Sequence, residues 1–234
     1  MHRYKEHFLD SNVVLNFLLF WNDSTDCYNY FQRSFNKNIS EKVFRECETV
    51  ISRLKRIQIN FLKNFNLYMS SRDIFYFDTN IISFSRIFIK KNHHDYDLSE
   101  KKFKKIIMDF IEDLHEDIYK AVSNGLDYKN FLKIINETFF TIGEYLEDLC
   151  TGDDSQLILH RKFPNSYAFK YPDVFDDLEK LPIHYSDRQI LLDCHHFKET
   201  ILKEDLAFLT SDKDVLDNEE NIFRIINIHT FQPT

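Results

Sequence analysis

The residues of this chain best suited to chemistry are carboxylates. Asp10 follows the apolar run Phe8-Leu9 and precedes the block Val13, Val14, Leu15, Phe17, Leu18 and Leu19, while Asp212 follows Leu206 to Leu209 and precedes Val215. Each sits where a short buried strand turns into a helix, and in an open α/β sheet such turns gather at the carboxyl edge of the strands, where ligands bind. Asp187 falls in the first turn of a helix, where its charge suits the helix dipole and its side chain can point to the same edge. Glu46 borders the stripe Val43, Cys47, Val50, Leu54, Ile57 and Phe61. At about 100° per residue it lies roughly 60° from the stripe's centre, whereas Glu41 and Glu48 fall roughly 140° to 160° away and face solvent. Glu46 is thus at the edge of a core, where a carboxylate needs a partner or a cation. Taken singly, an acid in a strand-to-helix turn or at a helix N-terminus is an ordinary cap; three in matching contexts point to a shared edge. Four convergent carboxylates with no Cys/His set suit a hard, oxygen-liking ion, Mg²⁺ or Mn²⁺.

The elements that must position these acids follow from composition and periodicity. The 234 residues include only 3 Gly and 4 Pro against 24 Phe and 12 Tyr, which excludes Gly-rich phosphate loops of the Walker A or GxGxxG kind. Neither Gly nor Pro occurs before Gly125, favouring long helices joined by polar turns. The chain is 43% hydrophobic and 29% charged, enough for a sizeable core in one large domain or two small ones. A net charge of −8 argues against coating nucleic acid through bulk charge, while leaving local basic patches and bound cations open. Cys27, Cys47, Cys150 and Cys194 lie far apart with no CxxC pair, so neither a zinc clip nor a disulfide framework is expected. No apolar run approaches the roughly 18 residues of a membrane span, and Lys5, Glu6 and Asp10 break up the N-terminus. The expectation is a cytoplasmic protein with no membrane partner.

Along the chain, Tyr4 to Leu9 reads as a buried strand, Asp10-Ser11-Asn12 as an acidic turn and Val13 to Leu19 as a helix, with a polar break at Asp23 to Asp26 and a helix over Tyr28 to Phe35. After a loop at Asn36 to Asn38, Ser40 is a good N-cap for the long amphipathic helix that carries Glu46. A Phe- and Ile-rich segment covers Asp73 to Lys91. Two further helices carry Phe103, Ile107, Phe110, Leu114 and Ile118, ending near Gly125, and Phe131, Ile135, Phe139, Ile142, Leu146 and Leu149, ending at Gly152. Residues 153–182 look like irregular connection with a short helix near Val174 to Leu178. Ser186 to Gln189 reads as a capping box opening a helix with Ile190, Cys194, Phe197 and Ile201 on its apolar face. Leu206 to Leu209, a short helix near Val215 to Glu220 and Ile225 to Phe231 complete a strand-turn-helix-strand pattern. Strands at both ends with helices between fit a small α/β sheet whose first strand pairs with the late ones.

Four segments carry a family resemblance. Phe8-Leu9-Asp10-Ser11-Asn12-Val13-Val14-Leu15 resembles the opening h-h-D-[ST]-N-h-h-h signature of PIN-domain nucleases; Ile39 to Glu46 is similar to their S-x-x-V-x-x-E segment; His184 to Leu191 resembles the third element; and Phe208-Leu209-Thr210-Ser211-Asp212-Lys213-Asp214 resembles the terminal h-h-T-x-D-x-D. The match rests on their order and spread, and it implies an α/β class, PIN-like fold: a small central parallel sheet flanked by helices, formed by 1–65 and 181–234. Residues 66–180 are a mostly helical insertion, packed on or near the core, that the resemblance does not cover. It implies that Asp10, Glu46, Asp187 and Asp212 are catalytic and bind Mg²⁺ or Mn²⁺, with Asn12 holding the first turn and Thr210 orienting the last. Asp214 is an auxiliary or alternative fourth acid, and Asp193 a fallback for the third. The implied activity is metal-dependent phosphodiester hydrolysis of RNA, as a toxin with an antitoxin partner or as a processing enzyme, a homodimer being compatible with either. The rival expectation is a catalytically silent PIN-like scaffold whose helical insertion binds a protein partner.

Phe75-Tyr76-Phe77-Asp78-Thr79-Asn80-Ile81-Ile82 copies the opening signature even more closely. A domain starting there would leave seventy residues unexplained and lack the S-x-x-V-x-x-E segment at short range, so Asp78 is expected to be a cap or turn residue of the insertion. His93-His94-Asp95 is expected in a polar loop without metal, and His195-His196 astride a boundary between core and solvent. Arg53-Lys55-Arg56 and Lys101-Lys102-Lys104-Lys105 are solvated faces unless RNA binds.

Overall fold

The computed structural model describes residues 4–20, 29–123, 127–152, 155–202 and 205–233. In chain order the elements are β1 (Glu6–Leu9), α1 (Ser11–Phe20), β2 (Asn36–Ser40), α2 (Glu41–Met69), α3 (Phe77–Asn92), α4 (Glu100–Ser123), α5 (Asp127–Thr151), β3 (Ile158–His160), α6 (Tyr167–Lys170), α7 (Pro172–Glu179), α8 (Tyr185–Phe197), β4 (Leu206–Leu209), α9 (Lys213–Leu216), α10 (Glu219–Ile226) and β5 (His229–Phe231). The chain forms two compact units, 1–48 with 144–234, and 49–143. Among the described residues no helix is long and apolar enough to cross a membrane.

The first unit is α/β, with a five-stranded sheet in the order β3-β2-β1-β4-β5 and every pairing parallel. The apolar runs of β1 and β4 are its centre: Phe8 faces Phe208 and Leu9 faces Leu209 in register, and all four are fully buried, as strands covered on both faces must be. From β1 the chain moves to one side for β2 and β3 and returns on the other side for β4 and β5. Strand order therefore switches between β1 and β4, and Asp10 and Thr210 emerge there at the carboxyl ends. The Asp10 N–H donates to Leu209 O (2.9 Å) and the Thr210 N–H to Phe231 O (3.0 Å), extending the ladder into both turns.

Strand β2 corrects the reading of Asn36 to Asn38 as a loop. Its sequence is polar, yet Lys37, Asn38 and Ser40 are buried because each polar group has a partner, as buried polar groups require. The Asn38 amide donates to Glu6 Oε2 (2.9 Å) and His7 O (3.1 Å), and its carbonyl meets His160 Nε2 (2.9 Å). Lys37 Nζ donates to Arg33 O (2.7 Å) and Phe35 O (3.3 Å). Within 153–182, Ile158–His160 is a sheet strand paired with β2, not irregular connection. Ile225 and Ile226 end a helix, and the last strand starts only at His229. The helix expected over Tyr28 to Phe35 stops at Phe31; Asp23 to Asp26, Tyr28 and Cys27 lie outside the described residues.

Ser40 caps α2 as expected: its Oγ accepts from the Val43 N–H (3.3 Å) and is fully buried. Replacing Ser40 with Ala is expected to cost about 1 to 2 kcal/mol, read as a lower urea midpoint with an unchanged slope.

The second unit is helical, built from the later part of α2, from α3 and α4, and from the first part of α5. Its core is aromatic. Phe61 is fully buried and meets Phe84, Phe88 and Phe110 edge-on at centroid distances of 5.3, 5.4 and 6.0 Å, the geometry that ring quadrupoles favour. Asp78 lies in the first turn of α3, with its carboxylate 2.8 Å from His115 Nε2. The second copy of the opening signature thus has a 3₁₀ turn (Ile74–Tyr76) where the first has a strand, and Phe75 stands 83% exposed.

Candidate active site

Asp10 is 2% exposed and held from three sides. Its Oδ1 accepts from the Ser11 N–H (2.7 Å), and its Oδ2 accepts from Asn12 Nδ2 (2.7 Å) and from the Thr210 hydroxyl (2.6 Å). Thr210 Oγ1 in turn accepts from Asn12 Nδ2 (3.1 Å) and the Asp212 N–H (2.9 Å), while Asn12 Oδ1 accepts from the Ser211 N–H (2.9 Å). Two turns some 200 residues apart are stitched together through three side chains, with Asn12 and Thr210 oriented on Asp10. Asp212 caps α9 through Oδ1, which accepts from the Asp214 N–H (2.8 Å), so it does what an ordinary cap does while standing beside the Asp10 turn.

Neighbouring acids act on Asp10 and on Asp187. Burial pushes the Asp10 carboxyl up to about 7; the Thr210 hydrogen bond opposes this, and the charges of Asp187 and Glu46 add to it. Burial likewise raises Asp187, helped by the charge of Asp212 and that of Glu46, and opposed by the Ser186 hydroxyl and by His184. The charges of Asp187 and Glu46 thus reach Asp10, and those of Asp212 and Glu46 reach Asp187; a like charge nearby disfavours the ionised form. Among the described residues none of the four forms an ion pair, and no three His, Cys, Asp or Glu side chains are arranged to hold a metal ion. Bringing three such carboxylates onto one point requires positive charge to offset their repulsion. An all-oxygen donor set of this kind is what a hard divalent cation fits.

The remaining candidates stand in other settings. Asp193 is buried, hydrogen-bonded by the Tyr167 hydroxyl and by Ser40, and raised by burial against those bonds; both its partners are structural. Asp214 is exposed, and its backbone serves the Asp212 cap. The capping box at Ser186 does not form: His184 is the N-cap of α8, its Nδ1 accepting from the Ser186 N–H (3.4 Å), and the Ser186 hydroxyl turns to Asp187 Oδ1 (3.2 Å). His195 and His196 are both buried rather than astride a boundary, because Tyr171 covers them, its hydroxyl 2.9 Å from His196 Nδ1 and its ring edge-on to His195. Periodicity within α8 could not reveal that cover, which comes from the segment around α6.

Thr210 offers a direct test of the strut. Thr210→Val keeps the shape and removes the hydroxyl that links Asp10, Asn12 and Asp212. It is expected to destabilise the fold by about 1 to 3 kcal/mol, the cost of leaving buried hydrogen-bonding groups without a partner, read as a lower urea midpoint with an unchanged slope. Circular dichroism should still report a folded protein. Comparison with known proteins brings no further assignment: no protein-family profile, curated protein or solved structure matches the chain.

Proposed function

We propose that this chain is a PIN-like, metal-dependent ribonuclease in which Asp10, Glu46, Asp187 and Asp212 hold Mg²⁺ or Mn²⁺. The observation that carries the reading is the Asp10 carboxyl, buried at the switch in strand order, fixed by Asn12 and Thr210, and set against the charges of Glu46 and Asp187. Ligands of parallel α/β sheets bind at that place in the topology, and buried carboxylates with raised pKa cluster at functional sites. Bound there, the ion supplies Lewis acidity that offsets phosphate charge and lowers the pKa of a water.

The chain's own contribution is to hold the acids ready. Asn12 and Thr210 leave Asp10 no freedom to swing away, and the helices that begin at Glu41 and Tyr185 bring Glu46 and Asp187 to the same edge. The buried setting strengthens the attraction between these carboxylates and a cation relative to water. The strand-order switch and the four sequence segments together support the PIN-like assignment. As a toxin the protein would need an antitoxin partner; as a processing enzyme it would not.

Wild-type protein is expected to cleave a 5′-labelled single-stranded RNA in Mn²⁺ and to stop on addition of EDTA. No cleavage under either Mg²⁺ or Mn²⁺ would sink the enzyme reading and leave the silent scaffold, whose support is the exposure of Leu67 (70%), Phe75 (83%) and Ile87 (57%) in the helical unit.

A further inference from the structure

Tyr185 is the first residue of α8 and stands 59% exposed. A single exposed aromatic is unremarkable; the cations around this one are the reason to consider it. Lys42 Nζ lies 5.8 Å from the ring centroid and Arg188 Cζ 6.0 Å from it. Lys42 is in the first turn of α2, four residues before Glu46 and so on the same helix face. Tyr185 precedes Asp187 by two residues in the first turn of α8, and Asp187 feels the charge of Glu46. The ring and its two cations therefore border the turns that present two of the four acids. Arg188 is pinned in place: its Nη1 donates to Glu179 O (2.9 Å), while its Nε is shut off from water and makes no hydrogen bond among the described residues.

We infer that Tyr185, with Lys42 and Arg188 beside it, is a stacking platform for one base of an RNA strand and positions that strand next to the acid cluster. The inference rests on the nuclease reading and adds where the strand is gripped. A chain of net charge −8 with four gathered carboxylates repels a polyanion, so a strand entering here needs local positive charge. Single-stranded nucleic acids are held by this pairing of aromatic faces for the bases with cations for the backbone, and Arg adds a cation–π contribution to such stacks. Tyr185 is a positioning residue: it takes no part in bond breaking and sets where the phosphate lies.

The test uses fluorescence anisotropy with a labelled single-stranded RNA on an Asp10→Asn background, which prevents turnover. Adding Tyr185→Ala is expected to weaken binding about 10-fold, equivalent to about 1.4 kcal/mol and within the range of base-on-aromatic stacking. Tyr185→Phe keeps the ring and should retain tight binding. An otherwise identical oligonucleotide with abasic residues should bind the Tyr and Ala proteins equally, and Lys42→Gln should flatten the plot of log affinity against log salt by about 0.7 for one lost phosphate contact. In the wild-type background, Tyr185→Ala should raise KM with little change in kcat, while Phe169→Ala, at a ring 92% exposed elsewhere in the same unit, should change neither. Equal binding by the Tyr and Ala proteins, or a loss that persists with the abasic strand, overturns the platform while Mn²⁺-dependent cleavage by the wild type keeps the nuclease reading standing. Absence of that cleavage overturns both.

Discussion

Asp10→Asn is expected to lower Mn²⁺-dependent cleavage of single-stranded RNA about 10³-fold or more, since metal-ion stabilisation of a reacting phosphate is worth several kcal/mol and each 1.4 kcal/mol or so is tenfold in rate. The substitution changes almost no volume, so the loss reports on charge rather than on packing. Its structural cost can be counted from the partners of Asp10. Oδ1 accepts from the Ser11 N–H and can remain an oxygen, but the amide nitrogen then faces Asn12 Nδ2 and the Thr210 hydroxyl. Neither is free to accept, because Thr210 Oγ1 already accepts from Asn12 Nδ2 and the Asp212 N–H and the Asn12 oxygen is committed to the Ser211 N–H. One donor facing another costs about 1 to 3 kcal/mol. Against this, the variant no longer buries a charge that Asp187 and Glu46 repel. The inactive protein is therefore expected to be as stable as the wild type at pH 8 or more so, and a thermal melt in EDTA checks it. Loss of activity together with a collapsed melting temperature would mean that Asp10 is merely structural.

Much of this site was legible in the chain because local patterns carry it. The apolar runs before Asp10 and Asp212 mark β1 and β4, and a run buried on both faces needs no long-range information to be recognised. The stripe from Val43 to Phe61 also locates Glu46 at a helix edge, where it is half-buried, but Glu41 and Glu48, expected to face solvent, are half-buried as well. What stayed hidden depends on partners far along the chain. Asn36-Lys37-Asn38 is polar enough to read as a loop, and Glu6, His7 and His160, at separations of 32, 31 and 122 residues, make Asn38 a buried strand residue. Strand β3 has three residues, too few for a periodicity to register. The link from Tyr167 to Asp193 and the approach of Lys42 to the Tyr185 ring join elements whose adjacency no spacing rule predicts. The second copy of the opening signature marks the limit of motif reading: the residue types around Asp78 match, but no strand precedes it, and the same pattern continues as an exposed helix turn.

Metal-free protein is expected to lose stability as pH rises through the range in which Asp10 would ionise. The folded protein binds its Asp10 proton up to about 7, while the ordinary value of 3.8 applies once the chain unfolds. Between those values the folded state binds more protons than the unfolded state, and stability falls with pH wherever that holds. The full difference corresponds to about 4 kcal/mol, or roughly 10 °C in melting temperature for a chain of this size. The buried histidines work in the opposite direction. Burial lowers His7 to about 4 and also lowers His160, His195 and His196, so their contribution is lost as pH falls below 6.5. A wild-type melting curve against pH superposes the two, but the difference between wild type and Asp10→Asn does not, because the histidines are common to both. That difference should widen by about 10 °C between pH 4 and pH 8 in EDTA, with the variant the more stable at pH 8; a flat difference would mean that Asp10 carries no buried charge. Mn²⁺ at about 100 times its dissociation constant adds roughly 2.7 kcal/mol to a protein that binds it only when folded. It should therefore raise the wild-type melting temperature at pH 8, do so far less at pH 5 where Asp10 keeps its proton, and leave Asp10→Asn nearly unmoved. The cation would then stabilise the fold through the same carboxylate that the nuclease reading requires for activity.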